Sequence, residues 1–507
     1  MKHFECKKIL FSYLFSFINL LAFFISKNND MSIHLLSKTL VISIFLSFII
    51  YFIIDYLERI FRYLYLKKMN TSDKRFFIKC FIIIFILWFF VFLAYYPGLF
   101  AYDVQNQINQ CINNRYSTYQ PLIHTLILNY FYNMSSNHNI GIVMYSILQM
   151  LFLDFSICYS LLFIHRFTKS KINILYLLWY AILPIFSILS ISITKDIYFS
   201  GFFLIFITTL FYFKKDENYL SNKKYILLFI ISSIGTALFR NNGLYVVLFG
   251  NIFYIFSNFK NSKILFISLI SIFLVLFLNN FLVLVTNANV GPKNEMLSIP
   301  YQQISRVYNY ENIDKEEIER IIPNVKFYKP SISDPVKGRA KGFENKKEFI
   351  TIYLKLFIRY PNRYLEAFIN NNLGYIYVFD KTNANIYGSG LSNRQGYLLT
   401  DYKDGYQVFH KSYFSILEDI YEILFSANHY QDNYIIFLPF SFSFYFWILL
   451  YTIYKNLYKK NIDICLYVVF YIVTIFLGPC ALVRYALPYI CILPLFITMS
   501  YLENESV

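Results

Sequence analysis

Long apolar runs recur along the chain, and short polar patches separate them. They fall at roughly 9–26, 39–57, 80–95, 139–165, 172–191, 197–213, 225–238, 244–258, 264–285, 433–454, 463–478 and 486–500. A helix needs roughly 20 apolar residues to span the hydrocarbon core, whereas a soluble chain of this size would show strands, turns and one-sided helices. The pattern therefore predicts an all-α polytopic membrane protein with about 12 transmembrane helices. The first run has a basic start but no small-residue cleavage site after it, which predicts a retained span rather than a removed signal. A further apolar stretch, 121–133, is too short to cross and predicts a helix lying at the interface.

Two longer polar stretches remain. Residues 1–285 read as a transmembrane region whose first large loop is 96–138; 286–432 read as a small mixed domain outside the membrane; 433–507 read as C-terminal transmembrane helices. Within 286–432 the pattern predicts an acidic helical patch from Asp314 to Arg320, an amphipathic helix near 346–372 and Gly/Asn/Tyr-rich turns over 383–405.

Charge fixes an orientation. The net charge of +16 invites a nucleic-acid reading, but the 286–432 segment is nearly neutral, with 18 Lys/Arg against 17 Asp/Glu. The excess sits in short loops. With the N-terminus inside, the inner loops carry 22 Lys/Arg and the short outer loops six (Lys27, Lys38, Arg115, Lys195, Arg240, Arg484). That asymmetry sets topology and excludes nucleic acid as the partner. The composition, rich in Ile, Phe, Tyr, Lys and Asn, suggests an AT-rich bacterial genome and so a bacterial cell membrane, and the charge bias sets 96–138 and 286–432 on the extracytoplasmic side. Seven cysteines without a CxxC make neither a disulfide framework nor a metal site.

Against this frame one stretch stands out. The run Phe81 to Ala94 ends in Tyr95-Tyr96-Pro97-Gly98, and Asp103 follows among aromatics and amides, with Gln105 and Gln107 beyond. Proline lacks the N–H and glycine frees the backbone, so the helix stops there. A carboxylate just past a membrane exit is either an ordinary solvated loop residue or a site.

Four other polar clusters break apolar sequence: Gln120-Pro121 with His124; Thr194-Lys195-Asp196; Arg240-Asn241-Asn242-Gly243; and Arg484-Tyr485. All fall at the outer ends of spans, and no charge is expected at mid-span. Ionisable groups at such depths cost about 2.5–3.5 kcal/mol each on insertion scales. Arg and Lys suit phosphate, a carboxylate can take a hydroxyl proton, and amides and aromatic rings suit sugars. Bland alternatives stand beside these roles. Lys195 and Arg484 could snorkel, Lys195 and Asp196 could pair, and His124 on its short apolar helix could be a packed histidine. Glu295, Gln302, Gln303 and Arg306 open the second polar segment and could line the same cleft.

These features resemble the GT-C superfamily, integral-membrane glycosyltransferases that use polyprenyl-phosphate sugars, such as protein O-mannosyltransferases and the aminoarabinose transferase of lipid A. More closely, Tyr96-Pro97-Gly98 with Asp103 and Gln107, Thr194-Lys195-Asp196, Phe239-Arg240-Asn241-Asn242-Gly243, Ser298-Ile299-Pro300-Tyr301-Gln302-Gln303 and Arg484-Tyr485 with Pro488 are similar to a bacterial membrane family of uncharacterised function. The resemblance implies a GT-C-like fold and transfer of a sugar from a polyprenyl-phosphate donor to a glycan or glycolipid acceptor of the cell envelope. Asp103 would be the base of an inverting reaction. Lys195, Arg240 and Arg484 would hold the lipid phosphate, and Gln105, Gln107 and Asn241 would meet sugars. Asp196, His124, Gln302 and Gln303 would line the cleft. Val104, not a second acid, follows Asp103, so a divalent ion would find a poor site and no cofactor is expected. A transporter or flippase of lipid-linked saccharides, a surface-polysaccharide polymerase and a non-catalytic scaffold remain the rival classes.

Overall fold

The computed structural model describes residues 2–28, 31–69, 71–100, 102–291, 293–313, 315–338, 340–380, 408–425, 438 and 441–502. Helices α1 (Lys2–Asn28) and α2 (Ile33–Leu66) form a hairpin, followed by α3 (Asp73–Ala94) and a two-residue strand β1 (Leu99–Phe100). Two short helices, α4 (Tyr102–Ile112) and α5 (Leu122–Tyr132), lead into α6 (His138–Thr168). Then come α7 (Ile172–Ile182), α8 (Pro184–Ser190), β2 (Ser192–Ile193), α9 (Lys195–Lys215), α10 (Asn218–Ser221), α11 (Lys223–Leu238), α12 (Asn241–Ser257) and α13 (Ser262–Thr286). A helical unit follows: α14 (Ser298–Tyr310), α15 (Glu316–Ile321), α16 (Asp334–Lys337), α17 (Lys346–Arg359), α18 (Pro361–Asn371) and α19 (Leu373–Ile376). Beyond it lie α20 (Ser415–Phe425), α21 (Phe442–Tyr458), α22 (Ile462–Phe476) and α23 (Val483–Tyr501).

Among the described residues, seven helices (α1, α2, α3, α6, α9, α13 and α23) are long and apolar enough to cross a membrane, and an eighth span arises if α7 and α8 count as one. The protein is an all-α membrane protein. The runs expected as spans at 225–238, 244–258 and 463–478 form helices of 16, 17 and 15 residues, and the described part of 433–454 carries one of 17, each shorter than the seven. The run 172–191 is broken at Pro184, where the missing N–H ends α7 and α8 leaves at 52°. Proline acts likewise near 346–372: Pro361 divides the one expected amphipathic helix into α17 and α18. Asp314 and the turns expected over 383–405 lie outside the described residues.

Helix α9 is the axis of the bundle. Its most apolar stretch is 94% buried, that of α23 83% and that of α2 only 11%. Helix α9 packs on α6, α11 and α23, whereas α2 turns Phe45, Phe48 and Phe52 outward and α13 does the same with Phe266 and Phe273. Aromatic rows of that kind suit lipid, not water. The unit α14–α19 has its own core, with Tyr301, Ile304 and Val307 against Ile318, Ile321, Phe349 and Ile352. It is anchored to the α1–α2 turn. Arg306 and Glu366, both fully buried, pair at 2.7 Å, and the other Glu366 oxygen accepts the Met31 N–H at 2.7 Å. Arg306 is thereby committed to the interior of this unit.

Candidate functional site

The turn after α3 sets the geometry. Gly98 has φ +130°, and a Cβ there would meet Ser146 Oγ at 2.5 Å and the Ile191 carbonyl at 3.0 Å, so only glycine fits. Its N–H closes the turn onto the Tyr95 carbonyl at 2.7 Å. The chain then pairs in parallel with β2, Leu99 opposite Ser192 and Phe100 opposite Ile193. Polar groups on α6 lock this ladder. Ser146 donates to the Pro97 carbonyl at 2.9 Å, and the Gln149 amide donates to Ser190 and Ser192 carbonyls at 2.8 Å each. Two residues past each strand a helix begins. The ladder therefore fixes Asp103, in the first turn of α4, beside Lys195 and Asp196, in the first turn of α9.

Charges alternate from there. Lys195 Nζ lies 3.3 Å from Asp103 Oδ2, and Arg484 Nη1 lies 3.1 Å from the same oxygen. Arg484 Nε stands 3.7 Å from Asp196 Oδ2, and Arg240 Nη1 binds Asp196 Oδ1 at 2.8 Å. Lys195 also donates to Gln120 Oε1. The row is Lys195, Asp103, Arg484, Asp196, Arg240: three cations, two carboxylates, net +1. It has a dry end and an open end. Asp196 is 0% exposed and the Arg240 side chain 8%, while Asp103 reaches 20%. Arg240 is also enclosed by rings, its guanidinium 4.2 Å from the Tyr485 centroid, 5.7 Å from Phe199 and 5.9 Å from Tyr471. Arg240 therefore serves as the buried partner that neutralises Asp196, and the two cations that face Asp103 are Lys195 and Arg484, their side chains 14% and 11% exposed.

Four helices start at this point. Asp103 is in the first turn of α4, Lys195 and Asp196 in that of α9, Arg484 in that of α23, and Arg240 is the N-cap of α12. Each N-terminus carries unsatisfied N–H groups and about half a positive charge, which favours an anion where they meet. Burial would push the Asp103 carboxyl up, but Lys195 and then Arg484 outweigh it and hold it well below the usual carboxylate range. A carboxylate so depressed contributes stability above its unfolded pKa near 4, lost only in stronger acid, so between pH 5 and 8 the Asp103 pairs hold constant.

The remaining predicted residues divide. His124 is fully buried on α5; its Nδ1–H donates to Gln107 Oε1 at 3.0 Å and Nε2 accepts from Tyr145 OH at 2.7 Å. The Gln107 amide goes on to Thr125 Oγ1 at 2.8 Å. This satisfied network clamps α4, and with it Asp103, onto α5 and α6; His124 and Gln107 are packing groups. Burial first, then Lys195, pushes His124 down to about 3. Its unfolded form protonates below about pH 6.5, so its share of stability falls as pH drops from there, by about 1.4 kcal/mol per unit. Thermal unfolding of wild type from pH 8 to 5 is expected to show that loss, and His124→Gln to flatten it; identical pH slopes would refute the assignment.

Gln105 is half-buried two residues past Asp103, and Asn241, exposed, donates to the Thr118 and Tyr119 carbonyls at 3.2 and 3.4 Å, bracing the rim. Gln302 and Gln303 do not join the charges. Gln302 donates to the Lys329 carbonyl at 2.8 Å, and Gln303 donates to the Tyr364 carbonyl and accepts from Tyr353 OH, all inside the α14–α19 unit. Glu295 does reach the rim, accepting from Tyr119 OH at 3.3 Å and pairing with Lys337, which also binds Asp334 at 2.7 Å. Lys337 and Asp334 carried no signal beyond a Ser-Asp-Pro helix start. One expectation fails outright. An ionisable residue does stand mid-span: Asp154 sits fully buried near the middle of α6, inside the apolar run 139–165, with Cys158 Sγ 3.3 Å from one oxygen.

Among the described residues no three His, Cys, Asp or Glu side chains gather as metal ligands would. Asp103 and Asp196 already face cations, so the donor set does not fit a divalent ion.

Fold and site define an all-α membrane protein with a row of ion pairs set where helix N-termini meet. The chain belongs to DUF6020, a family of unknown function whose model matches residues 114–506. The match covers Lys195, Asp196, Arg240 and Arg484 and begins past Asp103. No curated protein and no solved structure matches the chain.

Proposed function

We propose that the protein is a GT-C-type integral-membrane glycosyltransferase that moves a sugar from a polyprenyl-phosphate donor to a cell-envelope glycan or glycolipid on the extracytoplasmic face. The single observation that carries this reading is Asp103 flanked by Lys195 and Arg484 where four helices begin. In this reading the shorter helices α11, α12, α21 and α22 join α7–α8 and the seven long ones as twelve spans in the bacterial inner membrane. Their alternation puts the starts of α9, α12 and α23 on one face, which the 22-to-six bias of Lys and Arg makes the outer one.

The lipid phosphate would enter between Lys195 and Arg484, with the helix N-termini behind it. Its arrival competes for the cations that depress Asp103 and returns that carboxylate toward ordinary basicity. The acceptor hydroxyl then attacks the anomeric carbon and its proton passes to Asp103. The bond from that carbon to the phosphate oxygen breaks, and polyprenyl phosphate leaves with the electron pair. One displacement inverts the anomeric centre. Purified protein in nanodiscs should release polyprenyl phosphate from polyprenyl-phosphate hexose when an envelope glycolipid is supplied, and should not act on a nucleotide sugar. Sugar transfer from the nucleotide sugar, with nucleotide released, and none from the polyprenyl-phosphate hexose would overturn the reading.

A flippase of lipid-linked saccharides draws on Asp154, since carboxylates buried mid-span often serve transport. It forecasts that Asp154→Asn abolishes movement of the lipid between leaflets while Asp103→Asn does not. The transferase reading forecasts no such dependence on Asp154.

A further inference from the structure

The α14–α19 unit grips the loop that precedes Arg484. Asn372 Nδ2 donates to the Phe476 carbonyl at 3.1 Å and Asn371 Nδ2 to the Gly478 carbonyl at 3.1 Å. The Ser333 N–H donates to the Pro479 carbonyl at 2.9 Å, Ile332 bridges to Cys480, and Tyr375 OH accepts the Leu482 N–H at 3.3 Å. Contacts from the unit thus cover the loop from the end of α22 to the N-cap of α23, and Arg484 lies two residues further on. The Phe476 carbonyl is of the kind a helix end leaves without an intrahelical donor, and the Gly478 carbonyl lies just past that end. Asparagine satisfies them from a separate body.

Asn370, Asn371 and Asn372 are three consecutive asparagines, each 1% exposed or less. Such burial is costly for an amide without partners, and apolar residues would fill the space more cheaply. The seam also holds polar atoms beyond its pairs: Gln302 Oε1, Ser333 Oγ, Asn370 Nδ2 and Asn372 Oδ1 are buried without a partner. Packing alone does not explain the triplet.

We infer that Asn371 and Asn372 are positioning residues for Arg484, so that the α14–α19 unit holds the guanidinium against Asp103 and Asp196. The inference rests on the proposed function for what Arg484 does, though not for how it is held. Placement matters at this scale, because a displacement of about 1 Å at a phosphate-binding group can cost a hundredfold in rate. The geometry links the extramembrane unit to the anion site: an acceptor that moves this unit also moves a cation on the donor.

The test is a double-mutant cycle on the full-length protein in detergent, with polyprenyl monophosphate as the probe. Asn371→Ala and Asn372→Ala are each expected to weaken its binding about tenfold in the wild-type background and to have no effect in the Arg484→Gln background. Equal losses in both backgrounds, or no loss in either, would overturn the inference. If wild type takes up no polyprenyl phosphate, the proposed function fails and the cycle is read from melting temperatures instead. There a loss for the double variant unequal to the sum of the single losses supports the inference, and additive losses overturn it.

Discussion

Asparagine in place of Asp103 is expected to slow sugar transfer by about 10²–10⁴-fold, the usual worth of a positioned general base, while polyprenyl phosphate binds more tightly than to wild type. The two effects have one cause. In the resting site Lys195 and Arg484 are shared by a single carboxylate oxygen at 3.3 and 3.1 Å, so an incoming phosphate must displace an anion already in place. The amide keeps the shape and loses the charge, which frees both cations for the phosphate and leaves no group to take the acceptor proton. A purely structural Asp103 forecasts the opposite for binding, since loss of the pairs would loosen the cations and weaken uptake. Single-turnover transfer and equilibrium binding on one preparation separate the two. Arg484→Gln is the converse control: it keeps the base and should weaken binding by about 10–100-fold, the worth of a charge-assisted hydrogen bond.

Removing Arg240 is expected to have the largest effect on stability. Arg240→Met leaves Asp196, which is fully buried, without its 2.8 Å partner, and loss of one member of a buried pair costs about 3–5 kcal/mol. Thermal unfolding in detergent should register the loss whether or not substrate is present. Arg240→Lys should recover it only in part, since an ammonium lacks the planar fork and stacks less well on the Tyr485 ring. An unchanged melting temperature for Arg240→Met would mean that Asp196 is balanced by Arg484 alone. Because the cost falls on folding, transfer per folded molecule should drop less for Arg240→Lys than for Arg484→Gln.

The chain shows part of this plainly. Apolar runs marked the helices because lipid demands unbroken hydrophobic length, and Pro97-Gly98 marked the turn because few other residues make it. The polar clusters were visible for the same reason in reverse, as charges interrupting membrane sequence, and the structure places Asp103, Lys195, Asp196, Arg240 and Arg484 in one row. Depth within that row was not legible. Nothing local tells Arg240, enclosed by Phe199, Tyr471 and Tyr485, from Lys195 at the open end, because the enclosing rings come from α9, α22 and α23. Gln302 and Gln303 have the same donors and acceptors as sugar-binding amides, and only tertiary packing spends them on backbone carbonyls. Asp154 stands singly between Leu153 and Phe155, with no polar cluster around it to mark it within the apolar run. The span count diverged where Pro184 bends a run and where α22 stops at 15 residues.

The most direct measurement is a structure of the full-length protein in nanodiscs with a polyprenyl phosphonate sugar that cannot be transferred. The expected result is the phosphonate between Lys195 and Arg484, at the start of α9 and α23, with Asp103 released from at least one cation and facing the anomeric carbon. A phosphonate bound elsewhere, with Asp103 still held by both Lys195 and Arg484, would contradict it.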